Sequence, residues 1–151
     1  MEVEKRCALA QEYFRKGFNC AQSVVLAFSD VTGLGEEAAL KASAGFGGGI
    51  GRMREVCGCV CGMAFVAGFV KPFVNPAAQT DKKECYALVQ QLADEYRRQN
   101  GSIICRELLA GECSGPISPE PAPRTEEYYR KRPCVELVAD AVRILAAHCC
   151  D

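Results

Sequence analysis

The stretch GFGGGIG (45–51), followed by VCGCVCGMAFVAGFV (56–70), decides the fold of this chain. Five glycines in seven residues leave too much backbone freedom for a regular element, so 45–51 is predicted to be a loop. The fifteen apolar residues from Val56 to Val70 lie between Glu55 and Lys71 and fall short of the ~20 that a membrane-spanning helix needs. A helix beginning near Arg52 and ending about Val70 is therefore predicted to be buried at the centre of the protein.

Apolar residues recur at helical spacing on both sides of this segment, and no alternating strand pattern of useful length is present. The sequence predicts an all-α, single-domain bundle of roughly six to eight helices covering 1–151, with the glycine-rich loop before the buried central helix. A loop rich in proline and glycine is expected at 111–124. Besides the central helix, helices are predicted at 2–16, 20–31, 36–44, 79–99, 103–110 and 133–148.

Composition and charge narrow the functional classes. Eighteen basic and nineteen acidic side chains give a net charge of −1, which argues against a nucleic-acid partner. The charged N-terminus, MEVEKR, lacks the apolar segment of a signal peptide, so we expect a cytoplasmic protein without membrane insertion.

Eleven cysteines in 151 residues are the unusual feature of the composition. An odd number cannot pair completely, and cysteines in a reducing compartment serve metal or redox chemistry more often than structural bridges. About half of them are expected to be small buried hydrophobic residues, because free cysteine is among the most buried residue types.

The segment Cys57-Gly58-Cys59-Val60-Cys61 carries the densest group of thiols. Near the start of a helix, Cys57 would be favoured as a thiolate by the backbone N–H groups and the helix dipole, and Arg52 and Arg54 could add positive potential. The competing interpretation is that small cysteine and glycine residues let this helix pack closely in the core.

Four separated motifs resemble a known family, the redox-active proteins named for a C-GCAxxG-C-C cysteine pattern. They are Phe18-Asn19-Cys20-Ala21-Gln22, the glycine-rich loop, Cys57-Gly58-x-x-x-Gly62, and Gly101-Ser102-Ile103-x-Cys105-Arg106-Glu107-Leu108. By position, the resemblance implies that the family's four cysteines are Cys20, Cys57, Cys105 and Cys134, with Cys113 as a rival for the fourth. Cys59 stands where the motif has alanine, and Cys61 falls at a variable position, so both could be additional thiols.

Three functions remain open from the sequence. In the first, Cys20, Cys57, Cys105 and Cys134 gather from separate helices for thiol–disulfide exchange or electron transfer, Cys57 being the attacking thiolate. In the second, the same four thiolates bind a metal or an iron–sulfur cluster. In the third, the chain is a structural interaction protein whose cysteines fill the core. A redox partner protein or a small thiol is expected for the first, and an exposed helix face leaves room for a homodimer.

Overall fold

The computed structural model describes residues 1–112 and 115–150, and within them the chain is all-α, as predicted. The described residues form no strand, only one isolated antiparallel bridge between Val56 and Ile104. A single hydrophobic core joins the long helices. The helices are α1 (Val3–Arg15), α2 (Cys20–Leu26), α3 (Ser29–Thr32), α4 (Glu36–Ser43), α5 (Gly58–Val70), α6 (Gln79–Asn100), α7 (Cys105–Leu108), α8 (Glu126–Lys131) and α9 (Cys134–Cys149), with a 3₁₀ turn at Ala44–Phe46 after α4.

Helix α5 is the buried central helix, as the sequence predicts. Cys59, Met63 and Val66 are fully buried, and α5 packs against α2, α6 and α9. Its contact with α2 is close: a Cβ added at Gly62 would lie 2.9 Å from the Cβ of Val24. Glycine at this position therefore lets the two helices approach closely.

The helix predicted at 20–31 is divided into α2 and α3, because a side chain of α1 binds the backbone between them. Arg6 of α1 donates a 2.6 Å hydrogen bond to the backbone carbonyl of Ala27, and its guanidinium lies 4.5 Å from the centre of the Phe28 ring. Arg6 also forms two hydrogen bonds to the carboxylate of Asp30. The buried arginine thus takes the carbonyl that a continuous helix would use, and the chain turns between α2 and α3.

The prediction that the central helix begins near Arg52 is wrong by six residues. Arg52 and Arg54 have φ angles of 62° and 60°, in the left-handed region, so neither lies in a right-handed helix. Val56 pairs with Ile104, and the N–H of Cys57 donates to the carbonyl of Ile103 at 2.8 Å. These contacts with the segment before α7 keep the chain extended until Gly58.

The C-terminal part of the chain adds one helix that the sequence analysis did not predict. Helix α8 begins after Thr125, whose side chain caps it by accepting from the N–H of Tyr128. The last helix, α9, matches its prediction and packs along α1. None of the described helices is long and apolar enough to cross a membrane.

Candidate functional site: a cavity lined by four thiols

A cavity of about 670 Å³ lies between the glycine-rich segment and the starts of several helices. All four cysteines that the family resemblance singled out line it. Cys20, Cys105 and Cys134 are the first residues of α2, α7 and α9, and Cys57 is the N-cap of α5. The structure thus brings together residues that are up to 114 positions apart in the sequence. It does not show the scattered sulfur atoms that the core-filler hypothesis requires.

Cys20 is held at the start of α2 by a capping box. The side chain of Asn19 accepts from the N–H of Gln22, and the Gln22 side chain accepts from the N–H of Asn19. The amide of Asn19 also donates to the carbonyl of Ala44 at the end of α4. The motif that carries part of the family resemblance therefore fixes the backbone on which the Cys20 thiol is placed.

The glycine-rich segment places Cys105. Residues 48–52 all have φ between 56° and 70°, a left-handed run that includes the β-branched Ile50. A Cβ added at Gly49 would lie 2.7 Å from the Cβ of Cys105, and the N–H of Cys105 donates to the carbonyl of Glu55 at 2.6 Å. The loop is therefore rich in glycine at least partly because its backbone passes directly against a cavity cysteine.

The thiols of Cys20, Cys57, Cys59 and Cys134 shift one another's pKa values. Hydrogen bonds from the thiols of Cys134 and Cys59 lower the pKa of Cys20 well below its ordinary value, although burial opposes the shift. The same contacts with Cys20, together with burial, raise the pKa values of Cys59 and Cys134. These opposite directions favour Cys20 as the thiolate and Cys59 and Cys134 as donors to it.

Cys57 belongs to the same network. A hydrogen bond from Cys59 lowers the pKa of Cys57, and the hydroxyl of Tyr96 lies 3.3 Å from its Sγ and helps in the same direction. As whole residues, Cys57 is buried, with 5% exposed, whereas Cys20 is half-buried. The pKa values of both thiols are lowered, and Cys20 is the more exposed residue.

Cys105 stands apart from this network. Burial raises the pKa of its thiol, and the guanidinium of Arg54, whose Nη1 donates to the Cys105 Sγ at 3.6 Å, opposes that effect. Cys105 therefore lines the cavity as a neutral thiol beside a fixed cation.

The two extra cysteines of the central helix differ in role. Cys59 is fully buried, and its single S–H can donate to Cys20 or to Cys57; sequence reasoning missed this because the family motif has alanine there. Cys61 lies outside the cavity lining, its Sγ is 3.8 Å from the carbonyl of Val56, and burial raises its pKa to about 11. The only sequence signal for Cys59 was its place two residues after Cys57.

Among residues 1–112 and 115–150, no group of three or more His, Cys, Asp or Glu side chains has an arrangement that could hold a metal ion. The metal hypothesis for Cys20, Cys57, Cys105 and Cys134 thus receives no geometric support from the described part of the chain. Cys113, the rival for the fourth family position, lies outside the described residues, and Cys134 occupies the cavity wall.

Four arginines line the same cavity as the thiols. Arg52 and Arg54, which the sequence analysis had placed near the thiols, line the cavity, and so do Arg124 and Arg132. The last two were missed, because they come from the segment around α8, which has no sequence feature linking it to the cysteines.

Residues 18–148 match the family model described as "Putative redox-active protein (C_GCAxxG_C_C)". None of the curated proteins and none of the solved structures matches the chain significantly.

Proposed function

Since the chain belongs to the C_GCAxxG_C_C family of proteins described as redox-active, we propose that it reduces disulfides by thiol–disulfide exchange, with Cys20 attacking and Cys134 resolving. The placement of Cys20 and Cys134 in the wall of one cavity, each as the first residue of its helix, is the observation that carries the proposal. The pKa of Cys20 is lowered and that of Cys134 is raised, which is the direction that an attacking and a resolving thiol need.

Accessibility favours Cys20 over Cys57 as the attacking residue. The sequence analysis expected Cys57 to attack because of its place at a helix start, and its pKa is indeed lowered. However, Cys57 is buried and its Sγ contacts the hydroxyl of Tyr96, whereas Cys20 is half-buried and touches a resolving partner that also faces the cavity. In this proposal Cys20 is the attacking thiolate, and Cys57 and Cys59 help to stabilise it.

The reaction balances with a small-molecule disulfide, RSSR, as the oxidant. The Cys20 thiolate attacks one sulfur of RSSR, forming a Cys20–SR mixed disulfide and releasing RS⁻. Cys134 then gives its proton to the released RS⁻ and attacks the Cys20 Sγ, which forms the Cys20–Cys134 disulfide and releases the second RS⁻, which takes a proton from water. Two protein thiols are oxidised and one disulfide is reduced to two thiols, and an external dithiol regenerates the protein.

The test is to trap the mixed disulfide with Cys134→Ser. Reduced protein is mixed with a small disulfide without oxygen, quenched with acid and digested for mass spectrometry. We expect a Cys20–Cys134 link in the wild type, a mixed disulfide accumulating on Cys20 in Cys134→Ser, and neither product in Cys20→Ser. Cys85→Ala is the matched control, since Cys85 is buried on α6 outside the cavity lining and its loss should leave both products unchanged.

Two results would contradict the proposal. One is a mixed disulfide on another cysteine with Cys20 unmodified, in variants whose circular dichroism and melting match the wild type. The other is stoichiometric zinc or iron in protein purified without oxygen, which would favour the metal-binding alternative.

A further inference from the structure

We propose that the cavity selects anionic disulfides, namely small molecules that carry carboxylate groups on both sides of the disulfide bond. This inference rests on the proposed exchange at Cys20, and it adds the substrate class. It is carried by arginines that line the cavity and that the exchange chemistry itself does not use.

Apart from the cysteines, the charged side chains that line the cavity in the described part of the chain are all positive. Four arginines contribute to the lining, and no aspartate or glutamate among the described residues does. None of the four forms an ion pair with a carboxylate in the described part of the chain, whereas other arginines of the protein do. The four are Arg52, Arg54, Arg124 and Arg132.

Among the four arginines, Arg54 gives the strongest support for an anion site. Only 9% of this residue is exposed, yet the one side-chain hydrogen bond that it makes to the described residues is to the Cys105 thiol. A guanidinium withdrawn from water without a counterion is costly, because the lost hydration is not replaced. Its remaining N–H groups are not sealed in the core, since the only buried unpaired side-chain nitrogen or oxygen in the described residues belongs to Arg6. They are therefore available to an anion in the cavity.

Arg124 and Arg132 are held in place by aromatic stacking. Their guanidinium carbons lie 4.9 Å and 4.4 Å from the centre of the Tyr128 ring, and Arg124 donates to the carbonyls of Phe14 and Phe18. The donors of Arg124 are therefore largely used by the protein, and this residue adds positive charge to the cavity. The Arg132 side chain makes no hydrogen bond to the described residues, so its planar donor edge is free for a carboxylate, which a guanidinium binds with two parallel hydrogen bonds.

The size of the cavity and the helices around it are consistent with such a ligand. A volume of about 670 Å³ falls within the range of about 300–1,000 Å³ typical of small-molecule sites. Helices α5 and α9 begin in its wall at Cys57 and Cys134, and the partial positive charge of their N-termini adds to that of the arginines. The thiolate of Cys20 is a single negative charge against four arginines.

The test compares three disulfides of similar reactivity and different charge. Glutathione disulfide is anionic, bis(2-hydroxyethyl) disulfide is neutral and cystamine is cationic, and each rate constant is divided by that for a free model thiol. We expect the protein to favour the anionic disulfide over the neutral one by about tenfold at low salt, and to disfavour the cationic one. High salt should reduce this preference, because it screens the arginines.

Arg132→Gln separates the cavity charge from the protein's overall charge. This variant should reduce the anionic-to-neutral ratio at least threefold, and the ratio cancels any effect that the substitution has on the Cys134 thiol itself. Arg98→Gln removes one positive charge from the exposed face of α6, away from the cavity, and should leave the ratio as in the wild type. Equal rates for all three disulfides would overturn this inference while leaving the exchange reaction intact.

Binding without chemistry distinguishes the two proposals. S-methylglutathione carries the same carboxylates but, as a thioether, cannot exchange with a thiol. Calorimetry should show that it binds the wild type and binds Arg132→Gln more weakly. If no disulfide reacts at all, the proposed exchange fails, yet this binding still tests the anion site. Absent binding, or binding insensitive to Arg132→Gln, would refute the site.

Discussion

The substitution Cys59→Ala tests whether a buried thiol controls the reactivity of Cys20. Cys59 is fully buried on α5, and its one S–H can donate to Cys20 or to Cys57. Alanine removes the donor and keeps the Cβ, and it is also the residue that the family motif has at this position. We therefore expect α5 to keep its packing while Cys20 loses one of the two hydrogen bonds that stabilise its thiolate.

The size of the effect follows from two opposing factors. A hydrogen bond to a charged acceptor contributes about 1.5–3 kcal/mol, and the weak thiol donor belongs at the low end, so the Cys20 thiolate should become about tenfold scarcer at low pH. A more basic thiolate is also a better nucleophile, by about threefold for this change. The net rate at Cys20 should therefore fall about threefold at low pH and rise about threefold at high pH, where ionisation is complete.

Alkylation by iodoacetamide, followed for each cysteine peptide by mass spectrometry from pH 5 to 10, measures the rate at Cys20 in both the low-pH and the high-pH range. The wild-type and variant curves should cross. Cys7→Ala is the control, since Cys7 is equally buried but bonds only the carbonyl of Ala139, and its curve should overlay that of the wild type. A rate for Cys59→Ala that is unchanged, or lowered by one factor at every pH, would refute the reasoning.

Two further predictions concern the fold. Hydrogen bonds from Arg6 lower the pKa of Asp30, so their pairing stabilises the protein above the unfolded-state pKa of that carboxyl and is lost as the pH falls through the folded-state value. Asp30→Asn should therefore lower the free energy of unfolding in urea by about 1–3 kcal/mol at pH 7, with a smaller difference at acid pH, while the surface control Glu37→Gln should change it by under about 0.5 kcal/mol. Gly62→Ala should destabilise the protein by about 1–3 kcal/mol, because the new Cβ meets α2 at 2.9 Å. Gly68→Ala, on the same helix with nothing within 4 Å, should stabilise it by up to about 1 kcal/mol, and equal effects in both glycine variants would contradict this account.

Local patterns predicted the parts of the fold that depend on neighbouring residues. The buried position of α5 follows from the unbroken apolar run, and the bounds of α6 follow from its amphipathic stripe and Gly101. The wrong bounds arose where distant residues intervened. Arg6 takes the carbonyl of Ala27 and ends α2 early, and Ile104 pairs with Val56 and delays α5.

For the site, the sequence alone determined which cysteines to consider, because the motifs around Cys20, Cys57 and Cys105 are short and contiguous. Only the tertiary structure decided that their sulfur atoms share a cavity with Cys134, that Cys59 is a donor, and that arginines from the segment around α8 face the thiols. The physical reason is that a thiol's acidity depends on the donors, charges and solvent within a few ångströms. Those neighbours come from helices that are far apart in the chain, so packing, and not local pattern, sets the chemistry of each cysteine.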